Sequence, residues 1–388
     1  MDKDSLDIIG AIALGDIFGQ EPQIATRITA ELGSTHALFG LPRSEIDSIF
    51  RPGGRYAGKI GPRCLDEAAR TYESLRGTGC RFLCITDDAY PRLLRECPDA
   101  PVLLYMRSSS PPSEVFNRRP AVAIVGTRDM SLYGKDWCTR IVAALAKADK
   151  PPLIVSGLAI GVDVTAHMAA LGHSLPTIGV SPVGIDDIYP HRHAVVAGKM
   201  ISSPGSALIT DYPPGTFPMP HVFLRRNRII AGLADATILI ESKVKGGGMM
   251  TARLASGYGR SVFVLPGRAD DARSAGCNLL LAEKIAEPVI STGMLLSSLG
   301  LGSIVCGKPD PEEEIRRRFS GGQGAGDIEN LLKIFRLVRR GRGVSYDELC
   351  GLSGLAYPEV ARLAGLLENS GFIVSDMFLR CSVSSSFM

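Results

Sequence analysis

The chain predicts an α/β protein: a doubly wound parallel-sheet domain flanked by a small helical domain in front and three helices with a hairpin behind. Three observations carry this. Residues 121–171 repeat one unit twice, a short apolar run, a small polar turn and a stretch of helical periodicity. The alternation continues to about residue 290, at the spacing expected when buried parallel strands are joined by helices. A charged, then glycine-rich stretch without apolar periodicity, residues 306–327, sets the last 60 or so residues apart.

Residues 1–78 read as several short helices. Their apolar positions include Ile8, Ile12, Ile24, Ile28 and Leu32, and breaks fall at Leu41-Pro42 and Arg51-Pro52-Gly53-Gly54. This is expected to be a small helical domain that serves packing or oligomerisation, with contact to a nucleic-acid backbone as the other reading. Residues 79–305 carry the sheet, with strands expected at Ala121–Val125, Leu153–Val155, Thr177–Val180, Ala207–Thr210, Ala236–Ile240, Ser261–Leu265 and Val289–Ile290. Phe82–Thr86 and Val102–Tyr105 extend its edge. Residues 306–327 read as a flexible linker. In 328–388 an amphipathic helix over Ile328–Val338, a capping-box spacing at Ser345 and Glu348, a helix with Val360, Leu363, Ala364 and Leu367 on one face and a terminal hairpin predict a winged helix.

Composition sets the class. The 388 residues are 45% hydrophobic and 21% charged, as in an ordinary soluble protein, and a net charge of +3 is too mild to identify a nucleic-acid partner by itself. The amino-terminal segment lacks the basic-then-apolar order of a signal peptide and no apolar run reaches the roughly 18 residues of a membrane span, so a cytoplasmic protein away from membranes is expected. Nine cysteines without a CxxC pair read as reduced thiols, with no metal site.

The candidate site residues lie where strands turn into helices. Gly126-Thr127-Arg128 and Ser156-Gly157 each follow an apolar run, and helix amino-termini at such turns offer unpaired N–H groups to an anion. On spacing alone, steric need for glycine explains these turns as well as phosphate binding does. The densest signal is Phe223-Leu224-Arg225-Arg226-Asn227-Arg228: three arginines within four positions beside a ring and an amide, the groups that fork phosphates and stack on bases. Gly246-Gly247-Gly248 before Thr251 and Arg253 fits an anion nest, without the lysine of a Walker loop. Asn278 marks a further turn at the same sheet edge. Asp163 and His167 share a helix face and are expected to make a structural hydrogen bond. No nucleophile stands next to a base, so the set reads as a binding groove for a phosphodiester backbone, without catalytic residues or cofactor.

These motifs, in this order, resemble the DNA-processing protein A family (DprA, also called Smf). The matching phrases are Ala121-Val-Ala-Ile-Val-Gly-Thr-Arg128, Ser156-Gly-Leu-Ala-Ile-Gly-Val-Asp163 with Ala166-His167, Tyr189-Pro190, Phe223-Leu-Arg-Arg-Asn-Arg-Ile-Ile230, Thr251-Ala-Arg253, Pro266-Gly267 and Gly276-Cys-Asn278. Two departures stand out: Ile160 replaces the family's arginine, a lost phosphate contact for which Lys243 or Lys245 is the candidate compensation, and Gly246–Gly248 replace its Ser-Gly-Ser. The resemblance implies an extended Rossmann-like domain that binds single-stranded DNA, dimerises, protects incoming strands in natural transformation and loads the RecA recombinase. It assigns Arg128, Arg225, Arg226, Asn227 and Arg228 to phosphates and Phe223 to stacking, with Gly126, Ser156, Gly157, Thr251 and Arg253 completing the pocket.

Two alternatives remain at this point. A nucleoside-monophosphate phosphoribohydrolase uses a glycine loop over a phosphate followed by a glutamate; here Arg253 stands in place of that glutamate, leaving Glu241 as the acid to consider. A scaffold with a vestigial sheet domain would bind protein through its carboxyl-terminal domain without binding DNA.

Overall fold

The computed structural model describes residues 3–52, 54–116, 120–302, 310–320, 325–341, 343–376 and 380–384. Two compact units divide at residue 304. The first holds a nine-stranded sheet of β1 (Arg81–Cys84), β2 (Leu103–Arg107), β3 (Ala121–Val125), β4 (Leu153–Ser156), β5 (Thr177–Val180), β6 (Ala207–Thr210), β7 (Ala236–Leu239), β8 (Ser261–Val264) and β9 (Glu287–Pro288). Their order is β1-β2-β6-β5-β4-β3-β7-β8-β9. The seven strands from β6 to β9 are parallel, while β2 joins β6 antiparallel and β1 joins β2 antiparallel. The predicted edge extension is therefore real, and it makes the sheet mixed. The last strand lies at 287–288, two residues before its expected place.

β3 shows why the sequence reads as a buried strand. Ala121, Ala123 and Val125 face one core and Val122 and Ile124 the other, so both faces are covered and every residue is apolar. The first core also takes Leu14, Ile17, Phe18, Ala25, Ile28 and Leu38 from the opening helices, beside Leu83, Leu104 and Ile229. Residues 1–78, expected as a separate helical domain, thus share their packing with the sheet. The helices Lys3–Phe18, Pro22–Leu32, Arg43–Ile49 and Pro62–Leu75 follow the predicted breaks.

The second unit has its own core, from Ile315 and Leu331 through Val360 and Leu363 to Cys381. Strands β10 (Val344–Ser345), β11 (Ile373–Ser375) and β12 (Arg380–Val383) pair antiparallel in the order β10-β12-β11. Ser345 and Glu348 complete the predicted capping box. The linker reading needs correction. Pro311–Phe319 is a helix capped by Asp310; it buries Ile315, packs Phe319 against the same core, and its Glu312 pairs with Arg336 and Arg339 at 2.5 and 3.2 Å. Two apolar residues four apart suffice to anchor a helix whose other positions are charged. Residues 325–327 of the expected linker open the next helix, Ala325–Arg340, while 306–309 and 321–324 lie outside the described residues.

Candidate nucleic-acid interface

The helix after β3, Leu132–Ala146, packs on one face of the sheet through Cys138 and Ile141; the helix after β7, Gly247–Gly257, packs on the other through Met249 and Ala252. Chains that diverge in this way from neighbouring strands leave a crevice at the strand carboxyl ends. Here it is a cleft of about 730 Å3. Gly126, Thr127 and Arg128 line it from β3, Lys243, Lys245 and Gly246–Gly248 from β7, and Phe223, Arg226 and Asn227 from the helix Pro220–Leu233.

Glycine is required here for close approach. A Cβ on Gly248 would lie 3.2 Å from Gly126 Cα, and one on Gly126 would lie 3.0 Å from Glu241 O. The two loops therefore interlock backbone to backbone. Thr127 N donates to Glu241 O at 2.7 Å. The Glu241 side chain, only 2% exposed, accepts from Ser131 N at 2.9 Å and from Ser131 Oγ at 2.5 Å, while Ser131 caps the helix behind by accepting from Gly134 N. Gly161 supports the same turn from below. Its φ is +85°, and a Cβ would meet the Thr127 carbonyl and the Arg128 backbone. Gly161→Ala is expected to displace Arg128 and lower thermal stability, by roughly 1–3 kcal/mol for a residue forced into this region; an unchanged melting temperature would remove Gly161 from the support.

Helical periodicity sorts the arginine cluster. Phe223, Arg226, Asn227 and Ile230 are three or four apart and face the cleft. Arg128 lies over the Phe223 ring at 5.1 Å, and Tyr189 meets the same ring edge-on at 5.6 Å, so one wall is a ring pair topped by an exposed cation. Arg226 is 4% exposed. It donates to Val180 O and to Asn227 Oδ1, and burial together with nearby Arg128 works against its charge while Asp163 favours it. Asn227 donates to Gly247 O at 3.4 Å, tying this helix to the glycine loop. The helix at Gly247 starts without a side-chain cap, which leaves its first N–H groups for an anion.

Residues 81–300, more than half of the chain, match the model of the family described as DNA recombination-mediator protein A. The putative DNA processing protein DprA of Mycobacterium tuberculosis is 34% identical over 325 residues, 80% of this chain and 78% of that one. This chain belongs to the DNA recombination-mediator protein A family. Protein Smf of Synechocystis is 39% identical over 57% of this chain, which spans about half (54%) of that relative. The crystal structure of DprA from Streptococcus pneumoniae superposes with a TM-score of 0.63 at 29% identity, covering 76% of this chain and 98% of that one. A structure of DNA processing protein A from Helicobacter pylori, described by its single-stranded DNA binding mode, gives a TM-score of 0.50 at 30% identity over 57% of this chain and 95% of that one.

Several residues expected in the pocket of this family member lie elsewhere. Arg225 and Arg228 face away from the cleft because they are out of phase with Phe223 and Arg226. They line a smaller cavity of about 220 Å3, where Arg225 lies 5.8 Å over the Tyr212 ring and buried Arg228 pairs with Asp211. Ser156 is fully buried and donates to Ile124 O at 2.6 Å. Gly157 lies beneath the cleft, where a Cβ would strike the Asp163 carboxylate and the Arg226 guanidinium. Thr251 lines the cleft, but its hydroxyl turns back to Gly247 O at 3.4 Å. Arg253 pairs with Glu283 at 2.7 Å, and Asn278 pins Gly267 by exchanging bonds of 3.2 and 3.3 Å.

Asp163 and His167 are both buried, yet each finds other partners: Asp163 accepts from Ala159 N at 3.3 Å, and His167 bonds Gly157 O and Thr177 Oγ1 at 2.5 and 2.7 Å. Tyr189, Lys243 and Lys245 complete the cleft without standing among the predicted site residues. The two lysines enter from sequence only as candidate compensation for the arginine missing at Ile160, since residues in a loop carry no periodicity that places them. Among the described residues, no three His, Cys, Asp or Glu side chains group as a metal site, and no helix is long and apolar enough to cross a membrane.

Proposed function

We propose that this protein binds single-stranded DNA in the cleft at the ends of β3 and β7 and works as a non-catalytic mediator that protects incoming strands and loads RecA onto them, as a cytoplasmic homodimer. The observation that carries the reading is the pairing of two chemistries on one wall. Exposed Arg128 and the lysines 243 and 245 supply charge for a backbone, and the Phe223–Tyr189 ring pair supplies a face for a base. The single-stranded DNA binding mode described for the Helicobacter pylori relative agrees with it.

The phosphoribohydrolase alternative needs a free acid near the glycine loop. Glu241 is buried and fully engaged by Ser131, and Arg253 stands outside on the neighbouring groove. The RecA, dimer and transformation parts of the proposal rest on the family. We read the second unit as a winged helix from its order of helix, β10, two helices, β11 and β12.

Fluorescence anisotropy of labelled oligo-thymidylate with a matched duplex as competitor tests the cleft. Preference for the single strand is expected, with affinity falling as salt rises. Equal competition by duplex, or release of free base from a nucleoside monophosphate, would overturn it.

A further inference from the structure

We propose that a bound single strand continues past the cleft into a second, adjoining groove that receives the next bases on Leu224, Val244 and Met250. This rests on the single-strand reading above and extends its site. The groove, about 500 Å3, lies on the outer side of the glycine loop and shares Leu224, Lys245, Gly246 and Gly247 with the cleft, so the two form one continuous trough with the start of the helix Gly247–Gly257 as its saddle.

The chemistry changes across that saddle in the way a strand would use. Phe223 and Tyr189 stand on the cleft side. On the groove side Leu224, Val244 and Met250 are 44%, 49% and 38% exposed and line the groove together. Lys245, exposed and without an ion pair among the described residues, borders both. A phosphate held at the saddle by the lysine and the uncapped N–H groups places one flanking base in the cleft and the other in the groove. Aliphatic and thioether side chains contact any base face without reading its edge, so the groove adds affinity and no sequence preference.

The test is binding against oligo-thymidylates of increasing length, from three to ten nucleotides, for the wild-type chain and for Val244→Ser combined with Met250→Ser, two positions that line the groove and not the cleft. Both positions are exposed, so the variant is expected to melt like the wild type. In the wild type, affinity rises further once the oligomer is long enough to cross the saddle; in the variant that gain, about tenfold for one well-contacted base, is lost while the shortest oligomer binds as before. Photocrosslinking of a 5-iodouracil oligomer to Met250 supplies a second readout that needs no substitution. Identical length dependence in variant and wild type, with no crosslink at Met250, overturns the groove. If the variant keeps full binding but changes oligomeric state, the patch is a surface between copies of this chain and the proposal fails. A wild-type chain that binds no oligomer of any length would instead bring down the single-strand reading on which it rests.

Discussion

Lowering the pH from 6.5 to about 4 is expected to cost this protein about 3 kcal/mol of stability through one side chain, His167. The ring is fully buried beneath the Ser156–Gly157 turn, and burial, reinforced by Arg226 and His193, pushes its pKa down from 6.5 to about 4. Nε2 donates to Gly157 O, so the neutral ring accepts at Nδ1 from the Thr177 hydroxyl. The sign follows from proton counting. Between pH 6.5 and about 4 the unfolded chain carries a proton that the folded ring refuses, so stability falls as pH falls; above 6.5 the contribution is complete, and below about 4 it levels off. Asp163 works in the opposite direction. Burial raises its pKa, so the folded chain holds a proton that the unfolded one has lost, and that part of the stability falls as pH rises above the unfolded value. Urea denaturation at pH 7, 5.5 and 4.5 on the wild type and on His167→Asn separates the two. The variant should start less stable and lose the steep acid limb; an equal slope in both proteins would assign the acid sensitivity elsewhere.

Much of this was legible from residues alone, and what was missed has a common cause. Strands such as Thr177–Val180 and Ala207–Thr210 appear where expected because a parallel strand covered on both faces is an uninterrupted apolar run between turns. The helix Pro311–Phe319 was hidden because a single buried Ile315 and one flanking phenylalanine do not make a visible period among charges. The arginine cluster shows the limit most clearly. Adjacent letters suggested one phosphate-binding set, but successive residues on a helix turn about 100° apart, so Arg226 underlies the cleft while Arg225 and Arg228 serve another cavity. A buried arginine also does a different task from an exposed one. Arg226 donates to Val180 O and Arg228 pairs with Asp211 through one nitrogen, so both are held in the walls, whereas Arg128 keeps an exposed charge. Ile160, where the family's arginine was expected, is 40% exposed on a small side pocket with Arg128, Tyr189 and Phe223, an apolar addition to the ring wall.

The other large effect should come from the cations that do face the cleft. Arg128→Ala with Lys243→Ala and Lys245→Ala is expected to weaken single-strand binding by about two to three orders of magnitude near 0.1 M salt, since charge-assisted contacts contribute roughly 1.5–3 kcal/mol each at best and exposed lysines less. Affinity alone does not separate lost contacts from a disturbed fold; the salt dependence does. Each neutralised phosphate on a single strand contributes about 0.7 to the slope of log affinity against log salt, so removing three contacts should flatten it by about 2. All three side chains are exposed, and the melting temperature should stay put. The contrast is Arg225→Ala. Its guanidinium lies over Tyr212, near Asp211, in the smaller cavity, and the substitution should change affinity by less than about threefold and leave the slope unchanged. Should Arg225→Ala flatten the slope while the triple variant keeps it, the strand would follow the face of the Pro220–Leu233 helix turned toward the opening helices, and the cleft between β3 and β7 would lose its assignment.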